Sequence, residues 1–200
     1  MTFYAGANQI QHIRSMSTAK TRSQLAKARR NNLLVKFASR FDEGSVYGYV
    51  LDIGSQFFLL ALVSDEIRFN GFNCFRLPDV RALQVPAKYA SFAEAALKKR
   101  SERLPRKPFV SVASLPELLL TANEAFPLIT IHREQADPDV CHIGRVVGLN
   151  KRQVTLLEIG EDAKWDAEPI QYQLREITRV DFGSGYEEAL HLVGGPPGPE

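Results

Sequence analysis

Short stretches in which apolar and polar positions alternate run through most of this chain, and the clearest of them lies in its second half. Leu128, Thr130 and His132 alternate with Ile129, Ile131 and Arg133, a β-branched density that predicts a strand rather than a helix. Asp137, Pro138 and Asp139 break that run as a turn. Residues 141–149 form the next predicted strand, with Gly144 where a strand bends or another backbone comes close. Asn150 and Lys151 turn the chain into a strand over 154–159. Beyond an acidic segment at 160–169, Ile170, Tyr172 and Leu174 alternate with Gln171, Gln173 and Arg175 as a half-buried strand. Residues 177–182 supply a fifth strand, and 186–193 a short closing helix.

The first half reads in the same order. A helix over 23–30 capped by Ser23 precedes strands at 33–39 and 46–53, the latter containing Gly48. The nearly continuous apolar run at 57–63 fits a strand buried on both faces. Asn70 and Gly71, the strongest hairpin dipeptide in the chain, predict a turn between 67–69 and 72–77. A last strand at 80–85 comes next, and then a helix from Ser91 to about residue 104.

Laid over each other, the halves repeat at a spacing of about 96 residues. Gly48 and Val50 match Gly144 and Val146; Leu59 and Leu60 match Leu156 and Leu157; Phe69 falls opposite Trp165; Leu77, Asp79 and Val80 fall opposite Leu174, Glu176 and Ile177. The alternative is a chance likeness of two β meanders. Ser114 with Pro116 starts a helix through about residue 126, so each strand set has a helix before it.

The predicted architecture is therefore mainly β with short helices: two tandem five-stranded small barrels, each preceded by a helix. A basic arm occupies 1–30, the first barrel and its trailing helix 31–104, a linker 105–113, the second helix and barrel 114–193, and a disordered Gly- and Pro-dominated tail 194–200.

A helix followed by five short, bent antiparallel strands resembles the Sm-like fold, a subclass of small SH3-type barrels, over residues 17–90 and 114–185. The resemblance implies ring assembly and RNA binding. The chain departs from that pattern at the RNA-binding loops: Asp52 is not followed by Asn, and neither Val80, Arg81 and Ala82 nor Ile177, Thr178 and Arg179 supply an Arg-Gly pair. RNA binding at those loops is therefore not implied. Thr178, Arg179, Asp181, Phe182, Gly183, Tyr186, Glu187, Glu188 and Ala189 also resemble a stretch of small bacterial proteins, a likeness that carries no activity.

Charge changes the picture more than overall composition does. The formal net charge is +2, yet residues 1–41 hold eight Lys or Arg and no acid, while residues 111–200 hold seven against fifteen acids. Arg14, Lys20, Arg22, Lys27, Arg29 and Arg30 in the arm, with Lys98, Lys99, Arg100, Arg103, Arg106 and Lys107 around the linker, are candidate contacts to RNA or DNA. A solvated basic helix is the plainer reading. Trp165 among Asp162, Asp166 and Glu168 suits a basic protein partner through cation–π and charge contacts, or else plugs the end of its barrel.

Candidate chemistry is thin. His132, Asp137, Cys141 and His142 carry metal-type side chains, but their spacing matches no zinc pattern, and Cys141 and His142 point to opposite faces of a strand. Glu158, Glu161, Asp162, Asp166 and Glu168 read as a water-exposed acidic loop. No phosphate loop, nucleophile elbow or metalloprotease helix is present. No catalytic residue, cofactor or metal is predicted.

Cys74 and Cys141 sit in predicted strands as buried reduced thiols. No apolar run reaches the roughly 18 residues of a membrane span, and no signal peptide is evident, so a cytoplasmic protein without membrane contact is expected. Met16, followed by Ser17 and Thr18, leaves open whether residues 1–15 belong to the native chain. The expectation is a non-catalytic binding or regulatory protein, its tandem barrels acting as an interaction scaffold, with nucleic-acid association as the alternative and homo-oligomerisation open.

Overall fold

The computed structural model describes residues 17–41 and 44–198. Arg14 and residues 1–15 lie outside them. The chain runs α1 (Thr18–Arg30), β1 (Leu34–Ser39), β2 (Val46–Ile53), β3 (Phe57–Val63), β4 (Phe69–Arg76), β5 (Val80–Gln84), α2 (Ala90–Lys99) and α3 (Leu115–Ala125). It continues β6 (Ile129–His132), β7 (Cys141–Leu149), β8 (Gln153–Glu158), β9 (Ile170–Gln173), β10 (Arg179–Phe182) and α4 (Gly185–Gly194). One turn of 3-10 helix, Leu77–Asp79 or Leu174–Glu176, precedes β5 and β10 alike.

The strands do not make two separate five-stranded barrels. They form one ten-stranded antiparallel sheet in the order β5-β1-β2-β3-β4-β10-β6-β7-β8-β9, which is not closed. Each half would close on itself only if its own first and last strands in that order met. Instead β4 pairs with β10, through Phe75↔Arg179, Cys74↔Val180, Asn73↔Asp181 and Phe72↔Phe182. The reason lies in the side chains at the seam. The Phe72 and Phe182 rings stack at 5.8 Å, Phe126 from the end of α3 packs on Phe182 at 4.8 Å, and the Arg179 guanidinium lies 5.0 Å over Phe75. Burying two unpaired edges against each other removes hydrogen-bonding groups that would otherwise stand open.

Within that sheet the two halves have the same local build. Phe58↔Phe75 and Val50↔Leu60 in the first half match Val154↔Tyr172 and Val146↔Leu156 in the second, and both second strands bulge just past that valine. This pairing aligns Leu60, not Leu59, with Leu156, one residue off the match read from the sequence. A Cβ on Gly48 would stand 2.4 Å from the Ala61 carbonyl oxygen, and one on Gly144 2.0 Å from that of Leu157, so both positions need glycine for close backbone approach.

Helix positions match as well. Leu25 and Ala28 of α1 cover the first half's core, with Phe37, Phe58, Leu60 and Phe75. Leu119 and Ala122 of α3 cover the second, with Ile131, Val154, Leu156 and Tyr172. That second core extends across the seam to Phe57, Leu59 and Cys74.

Other expectations shift. Asn70 and Gly71 lie inside β4, and the connection from β3 turns instead at residues 64–68, where Ile67 takes a positive φ of 54°. Gly71 also has a positive φ, 73°, and a Cβ there would meet the Ser184 nitrogen at 2.6 Å. The glycine lets the β10–α4 turn settle on β4. Helix α1 starts at Thr18 under a Ser17 cap rather than at Ser23, and α2 starts at Ala90 with no side-chain cap. Cys74 is buried, but Cys141 is exposed. No helix among the described residues is long and apolar enough to cross a membrane.

Candidate functional site

Two polar clusters sit on the sheet, and in each a carboxylate is held by a histidine and a second donor, although His142 Nε2 is buried with no partner among the described residues. At the seam, Asp181 of β10 accepts from Arg179 Nε at 2.8 Å and lies 2.9 Å from His132 Nε2 on β6. Burial alone would raise the Asp181 pKa, but Arg179 and His132 outweigh it and hold the carboxyl well below the usual carboxylate range. Beside it, Glu187 closes a capping box with Ser184 at the start of α4 and accepts from the Thr130 hydroxyl. Cys141 stands across the β6–β7 pair from His132. Although the residue is open to solvent on one side, partial burial of its thiol and then the Asp181 charge push the thiol up, against the pull of Arg179, which disfavours the thiolate.

The second cluster joins β7, β8 and β9. Tyr172 donates to Glu158 Oε1, and His142 Nδ1 lies 3.2 Å from Glu158 Oε2 and 2.9 Å from the Tyr172 hydroxyl. Burial would raise Glu158, yet the hydrogen bonds from His142 and Tyr172 hold it below its ordinary value. Glu158 thus belongs to a half-buried network at the end of β8, not to the exposed acidic loop. Among the described residues no group of three His, Cys, Asp or Glu side chains could hold a metal ion.

The acidic loop is partly committed. Trp165 donates its Nε1 hydrogen to the Gly195 carbonyl at 3.2 Å and packs against Leu128, Ile143, Ile159 and Leu190, tying the end of α4 to the sheet. Asp162 is ion-paired with Lys164 at 2.6 Å. Asp166 and Glu168 are exposed, and they lead into β9, the last strand in the sheet order, whose Ile170 is 43% exposed. The opposite edge strand, β5, is bulged against β1 and carries Ala82 at a positive φ of 50°, a shape that blunts strand addition.

The basic candidates divide. Lys20, Lys27 and Arg30 are exposed on α1, and Lys98 and Lys99 on α2. Arg100 is held by the carbonyls of Glu66 and Ile67, and Arg103 lines a groove with Tyr49 and Phe69. Arg22, Arg29 and Lys107 converge from α1 and the linker on the β2–β3 turn. Arg29 Nη1 and Lys107 Nζ lie 3.0 and 2.9 Å from the two oxygens of Asp52, and Arg22 Nη2 donates to the Ser55 carbonyl at 2.8 Å. Arg106, next in the chain to Lys107, is exposed.

At the same place stands Phe109, 98% exposed, which the sequence pattern alone did not single out. Its signal was the alternation Phe109, Val110, Ser111, Val112 next to Lys107 and Pro108. Compared with known proteins, the chain matches no family model, no curated protein and no solved structure.

Proposed function

We propose that this protein is a non-catalytic interaction scaffold that takes up a basic, extended segment of a protein partner along β9. The observation that carries the reading is the combination at that edge: a strand with no second partner among the described residues, an exposed Ile170, and Asp166 and Glu168 immediately before it. An extended segment added there gains main-chain hydrogen bonds, an apolar side chain against Ile170, and cationic side chains opposite the carboxylates. Trp165 and Asp162 take a supporting part, since the indole and the carboxylate are engaged within the chain. The His132–Asp181–Arg179 and His142–Glu158–Tyr172 clusters, in which each carboxylate is tied to two neighbouring side chains, fit a role in holding the sheet rather than in turnover.

Selection of displayed peptides against the full chain tests this. Enriched sequences should be β-prone and rich in Lys or Arg, and Glu168→Lys and Ile170→Lys should each abolish their capture. Enrichment of acidic peptides, or capture indifferent to both substitutions, would remove β9 as the docking edge.

A further inference from the structure

Phe109 owes its exposure to the residues on either side of it. Val110 and Val112 are buried at 1% and 4% and join the core under α3, so they draw the linker inward. The Val110 nitrogen donates to the Pro108 carbonyl at 2.7 Å, a tight turn that leaves Phe109 pointing away. The linker is also clamped to the β2–β3 turn. Ser55 Oγ donates to the Ala113 carbonyl at 3.0 Å, and a Cβ on Gly54 would stand 1.6 Å from the Val112 carbonyl oxygen, so only glycine permits that contact. An aromatic ring is therefore presented to water on a firmly held segment. Exposing a whole phenylalanine forgoes roughly 2 kcal/mol of burial, which an adaptable loop would recover by folding the ring back.

Two cations, Arg22 and Lys107, line the same groove as that ring. The groove beside it, about 920 Å³, is lined by Arg22, Asp52, Ser55, Lys107 and Phe109. Asp52 pairs with Arg29 and Lys107, while Arg22 is held by the Ser55 carbonyl and Arg106 is exposed next in the chain to Lys107, so four cations stand in this region with one carboxylate among them. We infer that this platform binds single-stranded nucleic acid, with a base stacked on Phe109 and its flanking phosphates along Arg22, Arg106 and Lys107. A stacking ring within a positive groove is the chemistry that holds an unpaired strand irrespective of its sequence, and a duplex, whose bases are already stacked, has no face to offer the ring. The site is separate from β9 and does not depend on the reading proposed for that edge.

The test is fluorescence anisotropy of a labelled 12-nucleotide oligouridine and a labelled duplex of equal length with the full chain, titrated from 50 to 200 mM KCl. The single strand should bind more tightly than the duplex, and binding should weaken steeply with salt. Phe109→Ala should weaken it about 5- to 100-fold with the salt slope unchanged, and Phe109→Trp should retain it. Lys107→Ala should instead lower the slope by about 0.7. Because Phe109 packs on little, its alanine variant should melt as the parent does. No binding at 50 mM KCl, equal affinity for the duplex, no loss on Phe109→Ala, or equal competition by polyglutamate would each overturn the assignment, the last by showing a site for any acidic polymer.

Discussion

The two helix-covered cores occupy matching positions yet are built from different chemistry. In the first, Phe37, Phe58 and Phe75 pack ring against ring, Phe37 edge-on at 5.6 and 5.0 Å and Phe58 stacked on Phe75 at 6.0 Å. In the second, Ile131, Val154 and Tyr172 take those places. The change reaches the residues paired across the strands. Val46 opposes Phe37 and Leu62 opposes Gly48 in the first half, whereas His142 opposes Ile131 and Glu158 opposes Gly144 in the second. An apolar trio of Val46, Leu62 and Phe75 has become His142, Glu158 and Tyr172. A buried phenol needs a partner, and the partners arrived at the two positions that can reach it. One backbone therefore accepts either an aromatic or a hydrogen-bonded solution, provided that all members change together.

The largest expected contrast is in packing. Phe58→Ala should cost about 4 kcal/mol, and Val154→Ala, its counterpart, about 2, because the phenylalanine leaves the larger cavity. Urea unfolding of the full chain measures both; equal losses would mean that the two cores do not carry weight in proportion to the volume they fill.

Next comes the polar trio. Glu158→Ala leaves the Tyr172 hydroxyl and His142 with only each other and should cost about 1–2 kcal/mol. Installing the first half's residues together, His142→Val with Glu158→Leu and Tyr172→Phe, should cost less than about 1 kcal/mol, since an apolar set can replace a mutually bonded polar one and also removes the unpartnered His142 Nε2. A triple variant no better than the single would break the correspondence between the halves.

Acid should test the polar trio too. Glu158 and Asp181 both have folded pKa values below their ordinary ones. Each therefore adds stability that is complete above the unfolded carboxylate range and is lost as pH falls through the folded value. Thermal melts from pH 7 down to pH 3 should show that loss, and the triple variant should show a shallower one. Unchanged acid sensitivity in the triple variant would assign the effect to Asp181 and to Asp52, where burial is outweighed by Lys107 and Arg29, which hold the carboxyl below its ordinary value. Glu187 acts in the other direction, because burial raises it, so it favours the fold as pH falls through its range.

The smallest contrast is at the ends. Trp165→Phe, which puts the ring type of Phe69 at the corresponding place, removes the bond to the Gly195 carbonyl and should cost about 1 kcal/mol. The loss should appear first as faster hydrogen exchange in the last turn of α4. No change there would make the indole a filler of space only.

Much of the local structure was legible in the residue pattern. The alternation of Ile129, Ile131 and their neighbours, the apolar run at 57–63, and the matching of Leu77 with Leu174 all correspond to observed elements. The hairpin at Asn70 and Gly71 was not, because its turn chemistry is overruled by the Ser184 backbone lying against Gly71. Of the candidate contacts, the convergence of Arg22, Arg29 and Lys107 on one turn could not be read either, since they come from segments far apart in the chain. Glu158 passed for a solvated acid because its partners, His142 and Tyr172, approach from two other strands.

Sequence by itself determined most of the strands, the presence of a helix before each set and the likeness of the two halves, because those depend on periodicity and β-branched content within a few neighbouring residues, while the Asn70–Gly71 turn and the start of α1 were misplaced. Tertiary structure alone decided that β4 would take β10 as its partner, merging two strand sets into one open sheet, and that Phe109 would face water. Both are outcomes of competition between distant surfaces. An edge strand pairs with whichever free edge buries the better side chains, and a hydrophobic ring is exposed when its neighbours, Val110 and Val112, win the interior.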